Sequence, residues 1–271
     1  LDLVSAPIWE LEGAVVAARA DVATLLSLHT TYALTAPFKP DWRADRQFFE
    51  SVAAPMMRAE RAALERAPFI LANSEGVLAA LEAWAPDLDI RARSSVIAHG
   101  LPDRAGALSA KSESGELRLL FVGRLEARKG VDVLLQALPE VLAGRPNLRV
   151  DIVGREIGEA GATHAESFRA RHPDAPWCGQ VRFHGELSPD ALDDAYRAAD
   201  IFVAPSRFES FGLVFVEAMM FGLASVGSDV GGVAEVLGRE GESGLLVPPG
   251  DAPALAAALN ALIHDPRRRR A

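Results

Sequence analysis

IFVAPSRFESFGLVFVEAMMFGLASVG, residues 201–227, holds two short apolar runs with a helical stretch between them. Ile201 to Ala204 reads as a buried strand that Pro205, Ser206 and Gly212 interrupt, and Leu213 to Met220 has the apolar content and length of a buried helix. A further strand over 224–227 completes a strand, helix, strand unit, the building block of a parallel sheet covered on both faces. Ligands of such sheets bind beyond the carboxyl ends of the strands. Here that place is the start of the helix, where N–H groups near Phe211, Gly212 and Leu213 lack intrahelical partners and suit an anion. Glu217, about a turn further in, would repel a phosphate, and its carboxylate suits neutral hydroxyls such as a ribose diol. Glu209 stands just before the same helix start, where any acid also complements the helix dipole.

The matching cations lie upstream, in LRLLFVGRLEARKGVDVLLQAL, residues 117–138. A strand over 117–122 ends at Gly123, Arg124 and Lys129 follow, and a helix opens near Gly130. A diphosphate suits this pairing, because Arg forks across two oxygens while Lys acts as a compact point charge. Lysine is rare in the chain, limited to Lys39, Lys111 and Lys129, so its presence in this loop departs from a local habit of arginine.

The alternation extends outward in both directions. Strands are expected near 149–153, 181–183 and 245–247, with helices over 131–143, 164–171, 189–198, 232–237 and 252–263. Upstream, Ala105 to Glu116 is rich in Ser, Gly and charge and reads as a linker, which divides the chain into domains 1–104 and 105–271. The first domain shows a strand, helix, strand start with the helix over 12–20, and a helical stretch over 45–67 that Pro55 should kink or divide. A strand over 69–72, a helix over 75–84 and a strand over 95–98 follow.

Composition narrows the function. The 271 residues suffice for two domains, and 49% of them are hydrophobic. A formal charge of −9 argues against nucleic acid as partner, so a bound anion needs a local cationic site. Cys178 is the only cysteine, which suits a reducing compartment, and no secretory signal is readable. The longest apolar segment, 212–227, is interrupted by Glu217 and reads as core rather than as a membrane span. Asp87-Leu88-Asp89 spells an acidic metal-binding signature, but it stands in a polar turn after Trp84 and Pro86 and carries no metal reading. No Gly-x-Gly-x-x-Gly follows a strand, which disfavours a nicotinamide enzyme.

Arg124, four residues, Lys129, then Glu209, seven residues, Glu217, each pair at a strand-to-helix turn, resembles the nucleotide-sugar-dependent retaining glycosyltransferases of family 4. The resemblance takes in SLHTTYAL at 27–34, VIAHGLP at 96–102, VRFHGELSPDAL at 181–192 and SDVGGVAEVL at 228–237. It implies an α/β molecule of the GT-B type, two Rossmann-like parallel-sheet domains facing a cleft, with 1–104 on the acceptor side and 105–271 binding the donor. It implies transfer of a sugar from a nucleoside diphosphate to an acceptor hydroxyl with retention of configuration, and neither a metal nor another cofactor. Arg124 and Lys129 would hold the diphosphate and share in catalysis, and Ser210, Phe211, Gly212 and Leu213 would offer N–H groups to a phosphate. Glu209 would bind the donor sugar as a catalytic residue, Glu217 the ribose, and the Leu187 backbone the nucleobase. His29 falls on the sugar or acceptor side of the cleft, whereas His99 and His184 match loop positions where the main chain matters more than the imidazole.

The family opens with a strand and a glycine-rich loop and closes with a helix crossing back to the first domain. Neither is found here, so a chain starting at Leu1 reads as a fragment with an incomplete first domain. Two other readings share the fold: a nucleotide-sugar epimerase or phosphorylase, and a nucleotide-sugar-binding fragment without turnover. The acceptor is a sugar, a lipid or a small molecule, and the expected location is cytoplasmic. Phe48, Phe49, Met56 and Met57 fit either a core-facing stripe or a peripheral contact with the inner face of a membrane.

Overall fold

Short apolar runs become the strands of two parallel sheets, and most of the described strands are followed by helical structure. The computed structural model describes residues 3–9, 23–106, 115–156, 162–238 and 243–269. The helix expected over 12–20, most of the linker 105–116, and Arg270 lie outside the described residues. The chain forms two units, Leu1–Gly100 with Phe208–Phe211, and Leu101–Arg207 with Gly212–Ala271.

In the first unit β1 (Val4–Pro7), β2 (Thr24–Ser27), β3 (Phe69–Ala72) and β4 (Ser94–Val96) pair in parallel in chain order. The core joins Ile8, Leu26, Leu64, Ile70 and Leu78, and Phe208 belongs to it as well. Two short helices, α1 (Tyr32–Thr35) and α2 (Pro40–Ala44), follow β2. The division expected at Pro55 takes a specific form: Arg46–Phe48 runs through a π-helical turn, Phe49–Ala53, into α3 (Ala54–Arg66), whose first turn holds the proline. A wider turn ahead of Pro55 accommodates its ring and its missing N–H without breaking the rod. Helix α4 (Glu75–Trp84) starts at Ser74, whose hydroxyl accepts the Val77 N–H.

The second unit is one six-stranded parallel sheet in the order β10-β9-β8-β5-β6-β7. Its strands are β5 (Leu117–Val122), β6 (Leu148–Val153), β7 (Val181–Gly185), β8 (Ile201–Ala204), β9 (Ala224–Ser228) and β10 (Gly244–Val247). Helices α5 (Val131–Leu142) and α10 (Ala252–His264) bury their apolar faces in one cluster with Phe121, Val203 and Val226. Helices α7 (Pro189–Ala198), α8 (Leu213–Met220) and α9 (Val233–Leu237) bury theirs in another with Leu120, Phe202 and Ala204. Helix α6 (His164–Arg171) contributes Phe168 to the first cluster. Alternate residues of β5 and β8 face opposite clusters, so both strands are buried on both sides, as their unbroken apolar runs require. The chain proceeds from β5 outward to β7 and then returns to β8 on the other side of β5. The strand order therefore reverses between β5 and β8, and in open parallel sheets ligands bind at the carboxyl ends of the strands at such a switch point.

Candidate functional site

The loops that leave β5 and β8 carry Arg124 with Lys129 and Glu209 to Gly212, respectively. Residues 127–129 form a 3-10 turn ending at Gly130, whose φ of +70° is left-handed. A Cβ on Gly130 would lie 1.8 Å from the Pro205 carbonyl oxygen, so only glycine lets the β5 loop press onto the β8 loop. Arg207 completes the junction: its N–H donates to the Arg128 carbonyl (2.8 Å), one guanidinium nitrogen donates to the Ala127 carbonyl (2.6 Å), and a two-pronged pair holds Asp132 at 2.7 Å on each prong. Lys129 sends its side chain past Gly123, at the end of β5. Arg124 is half exposed, yet anchored by Glu126, 3.0 Å away. The same Glu126 oxygen pairs with Arg128 at 3.1 Å, and Glu126 and Arg128 are both buried. Arg124 is thus pre-aimed without being consumed, because part of its donor fork still faces solvent.

Helix α8 has no side-chain cap; its N-cap is Gly212, with φ of +98°. Glycine at the N-cap brings no side chain of its own to the opening N–H groups. Leu213, at its first position, is exposed. Glu217, in its second turn, receives hydrogen bonds on both oxygens, from Arg104 on Oε1 (2.9 Å) and from the Tyr196 hydroxyl on Oε2 (2.9 Å). Leu187, beyond β7, packs against the cluster that holds Tyr196 and Phe221.

Glu209, Ser210 and Phe211 group with the first unit, where Glu209 is buried and the Ser210 carbonyl accepts the Ser74 hydroxyl. Phe211 meets the His99 ring edge-on at 5.4 Å, and His99 stacks on His29 at 5.7 Å with 8° between the planes. His99 also exchanges a hydrogen bond with the buried Asn73 amide (3.2 Å), and His29 with Ser27 (3.4 Å). The His99 imidazole is therefore engaged on three sides within the first unit. Burial, and secondly the neighbouring His99, hold the His29 pKa below its ordinary value, which makes it a neutral hydrogen-bonding ring around pH 7. Two residues further on, Thr31 caps α1 while Glu60 of α3 accepts the N–H groups of Tyr32 (2.6 Å) and Ala33 (3.1 Å). Burial outweighs those two hydrogen bonds and pushes the Glu60 carboxyl up to about 7.

The residues proposed from sequence thus fall into three groups: Arg124 and Lys129 in one pinned loop, Gly212, Leu213 and Glu217 on α8 with Leu187 packed against the same cluster, and His29 with Glu209, Ser210 and Phe211 in the first unit. Sequence reasoning missed Glu126, Arg104, Tyr196, Asp193 and Asn73, which hold these groups in place. Tyr196 alone left a trace, as one of two tyrosines and the polar-tipped member of the apolar face of α7. Asp87 is paired with Arg61 in its turn. Among the described residues no group of three or more His, Cys, Asp or Glu side chains is placed to hold a metal ion. No described helix is long and apolar enough to cross a membrane.

Two Rossmann-like parallel-sheet domains place the chain in the GT-B class of folds. Sucrose-phosphate synthase from Thermosynechococcus elongatus superposes with a TM-score of 0.76 at 27% identity, over 99% of this chain and 66% of that one. The chain belongs to the family described as glycosyl transferases group 1, which matches residues 116–265. The D-inositol 3-phosphate glycosyltransferase of Corynebacterium efficiens is 34% identical over 282 aligned positions, 99% of this chain and 64% of that protein. The phosphatidyl-myo-inositol mannosyltransferase of Mycolicibacterium smegmatis is 39% identical over 153 residues, 56% of this chain and 37% of the relative. The chain thus spans 64% and 37% of the length of these two curated relatives.

Proposed function

We propose that this chain takes part in transfer of a sugar from a nucleoside diphosphate donor to an acceptor hydroxyl, with retention of configuration. The observation that carries the reading is the junction at the β5 and β8 ends of the second sheet, where Gly130 and Arg207 pin the loop that carries an anchored Arg124 and Lys129. Cations and a helix N-terminus complement the charge that grows on a departing diphosphate. In this reading Arg124 and Lys129 hold the diphosphate, with N–H groups from Ser210 to Leu213. Glu217 takes the ribose diol, the Leu187 backbone meets the base, and Glu209 binds hydroxyls of the donor sugar. His29, kept neutral, hydrogen-bonds on the sugar or acceptor side. The bond from the anomeric carbon to the phosphate oxygen breaks, the acceptor oxygen bonds to that carbon on the same face, and its proton passes to the leaving phosphate. The cationic loop fills the role a divalent cation plays in other sugar transferases, so no metal is needed. The names of the relatives make an inositol hydroxyl the first acceptor to try.

Calorimetry with UDP, GDP and ADP in the presence of a chelator tests the donor site. Incubation of each nucleotide sugar with inositol phosphates then separates transfer from epimerisation and phosphorolysis. Binding to none of the nucleotides would end the proposal. Epimerised donor without transfer product would move the chain to the rival chemistry.

A further inference from the structure

Resting on the reading that Glu217 takes the donor ribose, we infer that Tyr196 and Arg104 are positioning residues that aim this carboxylate at the two ribose hydroxyls. Each carboxylate oxygen offers two lone-pair directions. Arg104 occupies one on Oε1 and Tyr196 one on Oε2, which leaves one on each oxygen, the number a vicinal diol uses. An unbraced Glu side chain would sweep several rotamers and lose that alignment on binding.

Both braces are themselves fixed. The Tyr196 ring is fully buried, stacked on Phe221 at 5.4 Å and 1° and tilted against Phe202 at 6.0 Å, so its hydroxyl has one place to be. Burial, and secondly the Glu217 charge, push the Tyr196 pKa well above its ordinary value, which keeps the hydroxyl a donor. Arg104 pairs with Asp193 of α7 at 3.3 Å through its other terminal nitrogen, and its N–H donates to the Met220 sulfur at 3.2 Å. The carboxylate of α8 is therefore held from α7 on one side and from the segment entering the second unit on the other. The ribose preference should depend on both.

The test is the ratio of affinities for UDP, GDP and ADP over their 2′,3′-dideoxy counterparts, measured by calorimetry on the whole chain. Base and diphosphate contributions cancel in this ratio. The unmodified protein should favour the ribonucleotide by about tenfold or more. Tyr196→Phe and Arg104→Gln should each cut that preference by about threefold or more with dideoxynucleotide affinity nearly unchanged, and Arg104→Lys should recover part of it. Tyr196→Phe removes one oxygen from a packed ring, and Arg104 is partly exposed, so the two variants give independent readouts if either folds poorly. An undiminished preference in either well-folded variant overturns the inference while leaving the ribose reading intact. An unmodified protein indifferent to the ribose hydroxyls would instead remove the Glu217 reading and this inference with it.

Discussion

Glu126 illustrates how a buried residue sets the behaviour of an exposed one. Arg124 and Arg128 share one of its oxygens, and Arg128 has almost no exposure, so the carboxylate neutralises an interior cation while aiming a surface one. Losing Glu126 would leave the buried guanidinium without this charge partner, a change that costs about 3–5 kcal/mol in stability. Arg124→Ala and Lys129→Ala act differently, because each removes a charge that structure does not bury. Each should weaken nucleoside diphosphate binding by roughly 1.5–3 kcal/mol while leaving the bare nucleoside nearly unaffected. Titration with the nucleotide and nucleoside in parallel decides the matter, since equal losses for both ligands would indicate damage to the fold. The place of Arg124 and Lys129 at a strand-to-helix turn was legible in the sequence, because the apolar runs on either side of them are distinct. Glu126 was not, for an acid among basic residues in a loop looks the same whether it is solvated or buried.

Elements were legible wherever a single period governed them. Strands 117–122 and 201–204 and helices 164–171 and 189–198 coincide with the expected spans, since their burial pattern is carried by their own residues. The π-helical turn before Pro55 and the pairing of α8 with α7 depend on neighbours far along the chain, and local pattern is silent about those. Gly130 belongs to the same class: it looks like any helix start until Pro205 is beside it. Gly130→Ala combines a left-handed backbone with an impossible Cβ contact and should destabilise the second unit by about 2–4 kcal/mol, measured by urea unfolding. A variant as stable as the parent would show that the two loops can separate freely. Glu60 gives α1 a pH signature. Its folded pKa of about 7 lies above the ordinary 4.5, so between those values the folded chain binds more protons than the unfolded one. Its contribution is fully present below the lower value and is lost as pH rises through the upper one, a change of about 3 kcal/mol. Urea midpoints measured across that range should fall with rising pH, and Glu60→Gln should flatten the slope.

At the scale of the whole molecule, nucleotide binding should survive exhaustive chelation, because the proposed anion site takes its positive charge from Arg124, Lys129 and a helix start. Calorimetry with and without a chelator checks this, and binding restored only by magnesium or manganese would overturn it. The two-sheet α/β plan was readable from the strand and helix alternation, but one assignment was not. Residues 208–211 follow a strand of the second sheet and yet group with the first unit, with Phe208 in that unit's core. No local pattern announces such a return. It bears on biosynthesis, because a ribosome releases the chain from its first residue onward. The first unit emerges early but lacks one aromatic core side chain until more than a hundred further residues have been translated, and a chaperone arriving in that interval would find the gap where Phe208 later sits.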